Sequence, residues 1–197
     1  MIITLSQRFT DLKNRLDDLE INLLEGIKTK DISDLTESEQ DLARAFRVLS
    51  HAEIEAYFED SATILLNYAK EKWNTHKEVN ITIAALFAHY EKIEANLPLG
   101  TKINQIVSRF QRSRIDQNHG IKEENLVKLF IPLGIDKENF DVAWLSTINS
   151  YGKDRGKTAH TAAKTQQPID VNTELRTLEY ILEGIEQLDN QIKSILQ

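Results

Sequence analysis

The chain has 197 residues, no cysteine, a net charge of -7, and 41% hydrophobic against 28% charged residues. That length and balance suit one globular domain, taken as residues 1–197, and exclude a disordered chain. The missing thiols exclude disulfides, thiolate nucleophiles and cysteine-ligated zinc or iron-sulfur centres. The opening Met1-Ile2-Ile3-Thr4-Leu5-Ser6-Gln7-Arg8 carries no basic leader and no apolar run reaches membrane length, so a cytoplasmic protein without membrane contact is expected.

Taken in order, the elements read as helices. Leu5, Phe9, Leu12, Leu16, Leu19, Leu23 and Ile27 recur at three- and four-residue steps and predict an amphipathic helix ending near Gly26 or Lys28. Thr36 and Glu39 fit a capping box, which predicts a second, unusually long helix running to about Trp73. Asn80 can cap a third, through Ile83, Leu86, Phe87, Tyr90 and Ile93, stopped before Pro98. A fourth is expected over 102–116, with Ile103, Ile106, Val107 and Phe110 inward and its arginines outward, followed by short helices at 123–131 and 138–149.

Tyr151-Gly152-Lys153-Asp154 is read as an interruption, after which Arg155-Gly156-Lys157-Thr158-Ala159-His160 resumes the pattern until Pro168. From Val171 onward Leu175, Leu178, Ile181, Leu182, Ile185, Leu188, Ile192 and Ile195 form the cleanest apolar stripe in the chain. With no β alternation and no repeat of solenoid period, the expected fold is an all-α bundle of long amphipathic helices, with short helices before the Arg-His stretch.

Charge is distributed unevenly. Residues 1–60 hold 7 Lys/Arg against 14 Asp/Glu, whereas residues 101–165 hold 11 against 7, so Arg155 and His160 lie in the basic part of an acidic chain. Arginine offers a planar fork of donors to phosphate oxygens, and histidine titrates near neutral pH. On a continuous helix two residues five apart are rotated by roughly 140° and separated by about 7.5 Å of rise, which disfavours a same-face pair. Either Asp154 caps a new helix and lets Arg155 swing across its start, or a two-fold axis brings the groups of two chains together.

Here the residues resemble the HEPN superfamily, whose mark is an arginine, four to six residues and a histidine late in an all-α bundle. The match is Arg155 to His160; Leu49-Ser50-His51-Ala52-Glu53-Ile54-Glu55-Ala56-Tyr57-Phe58-Glu59-Asp60 is in addition similar to the early helix of the RiboL-PSP-HEPN branch. The resemblance implies a metal-independent endoribonuclease without a cofactor, usually a homodimer with a composite interface site, leaving a 2′,3′-cyclic phosphate. His160 would then exchange the protons and Arg155 would stabilise the charged phosphorane. A toxin or phage-defence effector restrained by an antitoxin or regulatory protein is the associated role, and a non-catalytic module binding a partner protein or nucleotide is the alternative. Gly156 departs from the family, many members of which carry a polar residue there; Thr158, Asp154 or an acid of the early helix could replace it.

Other candidates are weaker. His51, Glu55 and Glu59 lie four apart and could line one face, holding a metal or, through Glu59, orienting Arg155, although such rows are more often merely solvated. No metal is expected on balance, because a ferritin-like bundle needs paired Glu-x-x-His motifs that the chain lacks. His76, His89 and His119 have no ligand-like spacing, and Asp116 with His119 makes only half of a bundle site. Arg109, Arg112, Arg114, Lys153 and Lys157 could hold an RNA backbone, and Tyr151 could either stack on a base or lie at the core edge.

Overall fold

The computed structural model describes residues 6–90, 96–160 and 166–197, excluding the side chain of His160. They form seven α-helices, with no strand among the described residues: α1 Gln7–Leu24, α2 Glu37–His76, α3 Ile81–His89, α4 Leu99–Phe110, α5 Glu123–Phe130, α6 Val142–His160 and α7 Val171–Ile195. Short 3-10 turns and one π turn, Gln111–Ile115, join them. The architecture is the all-α bundle that periodicity predicts. Ile93 of the expected third helix lies outside the described residues.

α2 is the spine. Its 40 residues span about 60 Å at 1.5 Å per residue, and it touches α1, α3, α4, α5, α6 and α7. The capping box that starts it is complete: Glu39 N–H donates to Thr36 Oγ1 at 3.3 Å and Thr36 N–H to Glu39 Oε2 at 2.9 Å. Lys30 and these Thr36 donors hold the Glu39 carboxyl at about 2, well below the ordinary range. The helix ends where Lys77 turns left-handed at φ 57° and returns its N–H to Trp73 O. Along its buried side Phe46, Ile54, Tyr57, Phe58 and Leu65 enter one apolar cluster, in which the rings of Phe9, Tyr57, Phe58 and Phe130 meet edge to face at 5.9 to 6.1 Å.

Side-chain bonds set the directions of the neighbouring helices. Arg8 to Asp60 and Arg15 to Glu53 make α1 antiparallel to α2. Arg47 to Glu174 and Tyr57 to Asp189 make α7 parallel to it. α6 runs against α7 through Trp144, whose indole N–H donates to Ile181 O at 3.0 Å and whose ring fills the space above Gly184, where a Cβ would lie 2.2 Å from it.

One expectation fails. Tyr151-Gly152-Lys153-Asp154 does not interrupt the chain, because α6 is continuous from Val142 to His160; Asp154 therefore caps nothing. Gly152 is a contact rather than a breaker: its missing side chain admits Lys122, whose Cγ would sit 3.1 Å from a Cβ there.

Candidate functional site

Continuity of α6 decides the geometry of the Arg-His stretch. Arg155 and His160 leave the same uninterrupted helix about 140° apart, so a pairing within one face is not available. The His160 side chain, with residues 161–165, lies outside the described residues.

Arg155 is half-buried and points its field at α2. Its Nε is buried without a hydrogen-bond partner, and it makes no ion pair among the described residues. Its charge reaches His51 and Glu55, one turn apart on α2. His51 is 3% exposed, its Nδ1 is also without a partner, and that atom lies 3.6 Å from Glu55 Oε2. Burial first, then Arg155 and Lys122, depress the imidazole to about 4, so it is neutral at physiological pH. Glu55 moves the other way: burial and Glu59 push its carboxyl above the usual range, against the opposing pull of Arg155, the Gly120 N–H and His119.

The loop ahead of α5 completes the wall. Asn118 is buried and donates to Glu59 Oε1 at 3.0 Å and to Gly120 O at 3.1 Å, while accepting from Asn125. Gly120 holds φ +142°, a backbone conformation that L side chains rarely adopt. The loop thus brings Asn118, His119, Gly120 and Lys122 to the α2 row. Asn118, Gly120 and Lys122 are not marked by spacing in the sequence, and His119 is marked only as half of an Asp116–His119 pair.

The remaining expected residues are dispersed. Glu59 is bonded to Asn118, and no hydrogen bond or ion pair joins it to Arg155 among the described residues. Asp154 accepts from Lys157 Nζ at 2.9 Å, and Thr158 Oγ1 donates to Asp154 O at 2.9 Å, so both are bonded within α6. Tyr151 is 3% exposed beside the Arg47–Glu174 pair, which places it in the core and away from any stacking base; burial and Glu174 push its hydroxyl upward. Lys153 and Lys157 are exposed on α6. Arg109 lies over the Tyr90 ring at 4.8 Å, Arg112 donates to Ser108 O at 3.2 Å, and Arg114 is half-buried next to His89. Among the described residues no three His, Asp or Glu side chains converge as a metal site, and no helix is long and apolar enough to cross a membrane.

A family model described as RiboL-PSP-HEPN matches residues 10–194. The chain belongs to the RiboL-PSP-HEPN family. No curated protein and no solved structure was found to match it. In this HEPN chain the match runs from α1 through α7, and it therefore takes in both the His51–Glu59 row and the Arg155–His160 stretch.

Proposed function

We propose that this HEPN protein is a metal-independent endoribonuclease. The observation that carries the reading is the Arg155 guanidinium: half-buried, with Nε unpartnered and no ion pair among the described residues, its charge felt by the neutral His51 imidazole. A buried donor without an acceptor costs about 1 to 3 kcal/mol. Such a cost is sustained where a ligand supplies the acceptor, and a phosphate matches the fork of arginine. Arg155 binds the scissile phosphate and stabilises the phosphorane, His160 exchanges protons with O2′ or O5′, and the products carry a 2′,3′-cyclic phosphate and a free 5′-hydroxyl. Lys153 and Lys157, exposed along α6, supply the backbone contacts.

Two chains paired on a two-fold axis would place both Arg155–His160 stretches on one cleft, and a homodimer is part of the proposal. A cytoplasmic toxin or phage-defence effector held by an antitoxin is the setting in which such a nuclease is tolerated, since unrestrained cleavage would damage its own host. One observation favours the non-catalytic reading: among the described residues nothing lies within 4 Å of the Gly156 Cβ position, so none of them puts a polar group there.

Purified protein should degrade RNA in EDTA. Arg155→Ala and His160→Ala should each lose roughly a hundred- to ten-thousand-fold in rate with unchanged melting temperatures. Full activity in both variants would sink the enzyme reading, and a monomer in sedimentation at micromolar concentration would sink the homodimer.

A further inference from the structure

Residues 99–115, α4 and the π turn after it, hold Lys102, Arg109, Arg112 and Arg114 and no acid, in a chain of net charge -7. The fold puts the three arginines to different uses. Arg109 lies over the Tyr90 ring and Arg114 is half-buried, whereas Arg112 lines an open groove of about 480 Å³ where α4 packs on α2. Lys70 and Asn67 of α2 line the same groove, and the buried side chains of Leu66 and Val107 form its floor. We infer that this groove binds the phosphodiester backbone of the RNA strand away from the cleaved bond, with Lys70 and Arg112 as its two cations. The identity of the strand rests on the ribonuclease reading.

Both cations are available. Arg112 Nε donates to Ser108 O at 3.2 Å, which lays the side chain back along α4 and leaves its terminal nitrogens without a partner among the described residues. Lys70 is exposed and makes no hydrogen bond or ion pair among the described residues. No acid lines the groove. Asp116, just beyond the turn, accepts from Gln111 Nε2 at 2.7 Å, and the Gln111 carbonyl stays available on the groove wall. A guanidinium fork and an ammonium in an acid-free groove match phosphate oxygens, and the amides of Asn67 and Gln111 match ribose hydroxyls. The π turn is part of the device: Asp116 N–H returns to Gln111 O at 2.9 Å, five residues back, so the helix widens where Arg112 stands, as helices frequently do at functional sites.

Contacts tie the groove to the helix that carries Arg155. The π turn runs into the loop whose Asn118 donates to Glu59 at 3.0 Å and whose Lys122 packs at Gly152 of α6, three residues before Arg155. At 100° and 1.5 Å per residue, Leu66 and Lys70 lie within roughly 20° of Glu59 around α2 and about 10 to 17 Å further along it. A strand leaving Arg155 across this loop therefore follows one face of α2 into the groove.

The test is binding of a fluorescein-labelled 2′-O-methyl RNA 12-mer of mixed sequence, which has no free 2′-hydroxyl to attack the phosphate, to the full chain over a salt series. Lys70→Ala/Arg112→Ala should keep the wild-type melting temperature, weaken binding about tenfold or more, and lower the log–log salt slope by about 0.7 to 1.4, for one or two phosphates at 0.7 each. Lys13→Ala/Arg176→Ala removes the same charge from exposed positions on α1 and α7, and Arg176 likewise donates to a carbonyl four residues back; it should bind as wild type does. Equal affinities in all three proteins, or equal weakening in both double variants, overturns the groove. Cleavage of unmodified RNA in EDTA, scored alongside with Arg155→Ala, keeps the two readings apart. An unaffected groove variant beside an inactive Arg155→Ala sinks the groove alone, whereas weakened binding with no cleavage by wild type sinks the nuclease and keeps the groove as an RNA site. Weaker binding of a glutamate 12-mer with unchanged RNA affinity would give the groove to an acidic protein segment and overturn the assignment to RNA.

Discussion

Two buried polar regions of this bundle meet opposite ends. Where α7 packs on α2, Asp189 accepts from Ser6 N–H at 2.9 Å, from the Ser6 hydroxyl and from Tyr57 at 2.9 Å, while Arg47 and Glu174 form a two-pronged pair. These groups are satisfied, and they fix the start of α1 and the register of α7. Where α6 and the loop pack on α2, Arg155 Nε and His51 Nδ1 are buried without partners, and Glu55 is held more basic than usual. A fold gains nothing from unpaired donors by themselves. Unpartnered buried atoms also occur on the first side, at Ser50, Tyr151, Asn190 and Gln191, so what sets the second region apart is the half-buried arginine without an ion pair among the described residues.

The sharpest way to break this contrast is to unpair the satisfied side. Glu174→Ala should leave the Arg47 charge, which is half-buried in the α2–α7 contact, without its partner and cost about 3 to 5 kcal/mol, read as a fall in the denaturation midpoint at constant slope. A cost near that of an ordinary surface substitution would show that the pair is not structural.

On the other side the expected effect is smaller and depends on pH. His51 titrates at about 4 when folded against 6.5 for the free side chain. The unfolded chain therefore binds the proton first, and the stability associated with a neutral His51 is present above pH 6.5 and is lost as pH falls from 6.5 toward 4. The loss amounts to about 3 kcal/mol at most, at 1.36 kcal/mol per unit. His51→Leu should flatten that slope while changing stability at pH 7 by less than about 1 kcal/mol, since an unpaired polar atom is removed together with its cost. An unchanged slope would mean that His51 is not the group responsible.

The smallest expected effect concerns the helix that carries the arginine. Gly156 faces open space, so Gly156→Ala should stabilise α6 by about 0.8 to 1 kcal/mol, seen as a higher melting temperature. Destabilisation instead would mean that the bare backbone at 156 is already in use.

Much of the fold was legible because periodicity and capping are local. Thr36 and Glu39 marked the start of α2, Asn80 that of α3, and the apolar stripe from Val171 gave α7 nearly in full. Gly152 misled, since a glycine admitting a neighbour and a glycine ending a helix look alike in a sequence; only the Lys122 contact tells them apart. In the site, the motif exposed Arg155 and the four-residue spacing exposed the His51–Glu55–Glu59 row. Asn118 and Lys122 left no signal, because a loop residue earns its place by where the loop is folded.

Residue identity and spacing thus determined by themselves that the chain is an all-α bundle, that it is free of thiol chemistry, and that a fixed cation and a titrating imidazole sit five positions apart. Tertiary structure alone decided that α6 is continuous, that Glu59 is engaged by Asn118, and which buried polar atoms lack partners. The physical reason is range: capping and helix periodicity act over a few residues along the chain, whereas hydration and charge coupling depend on what packs against a group from distant elements.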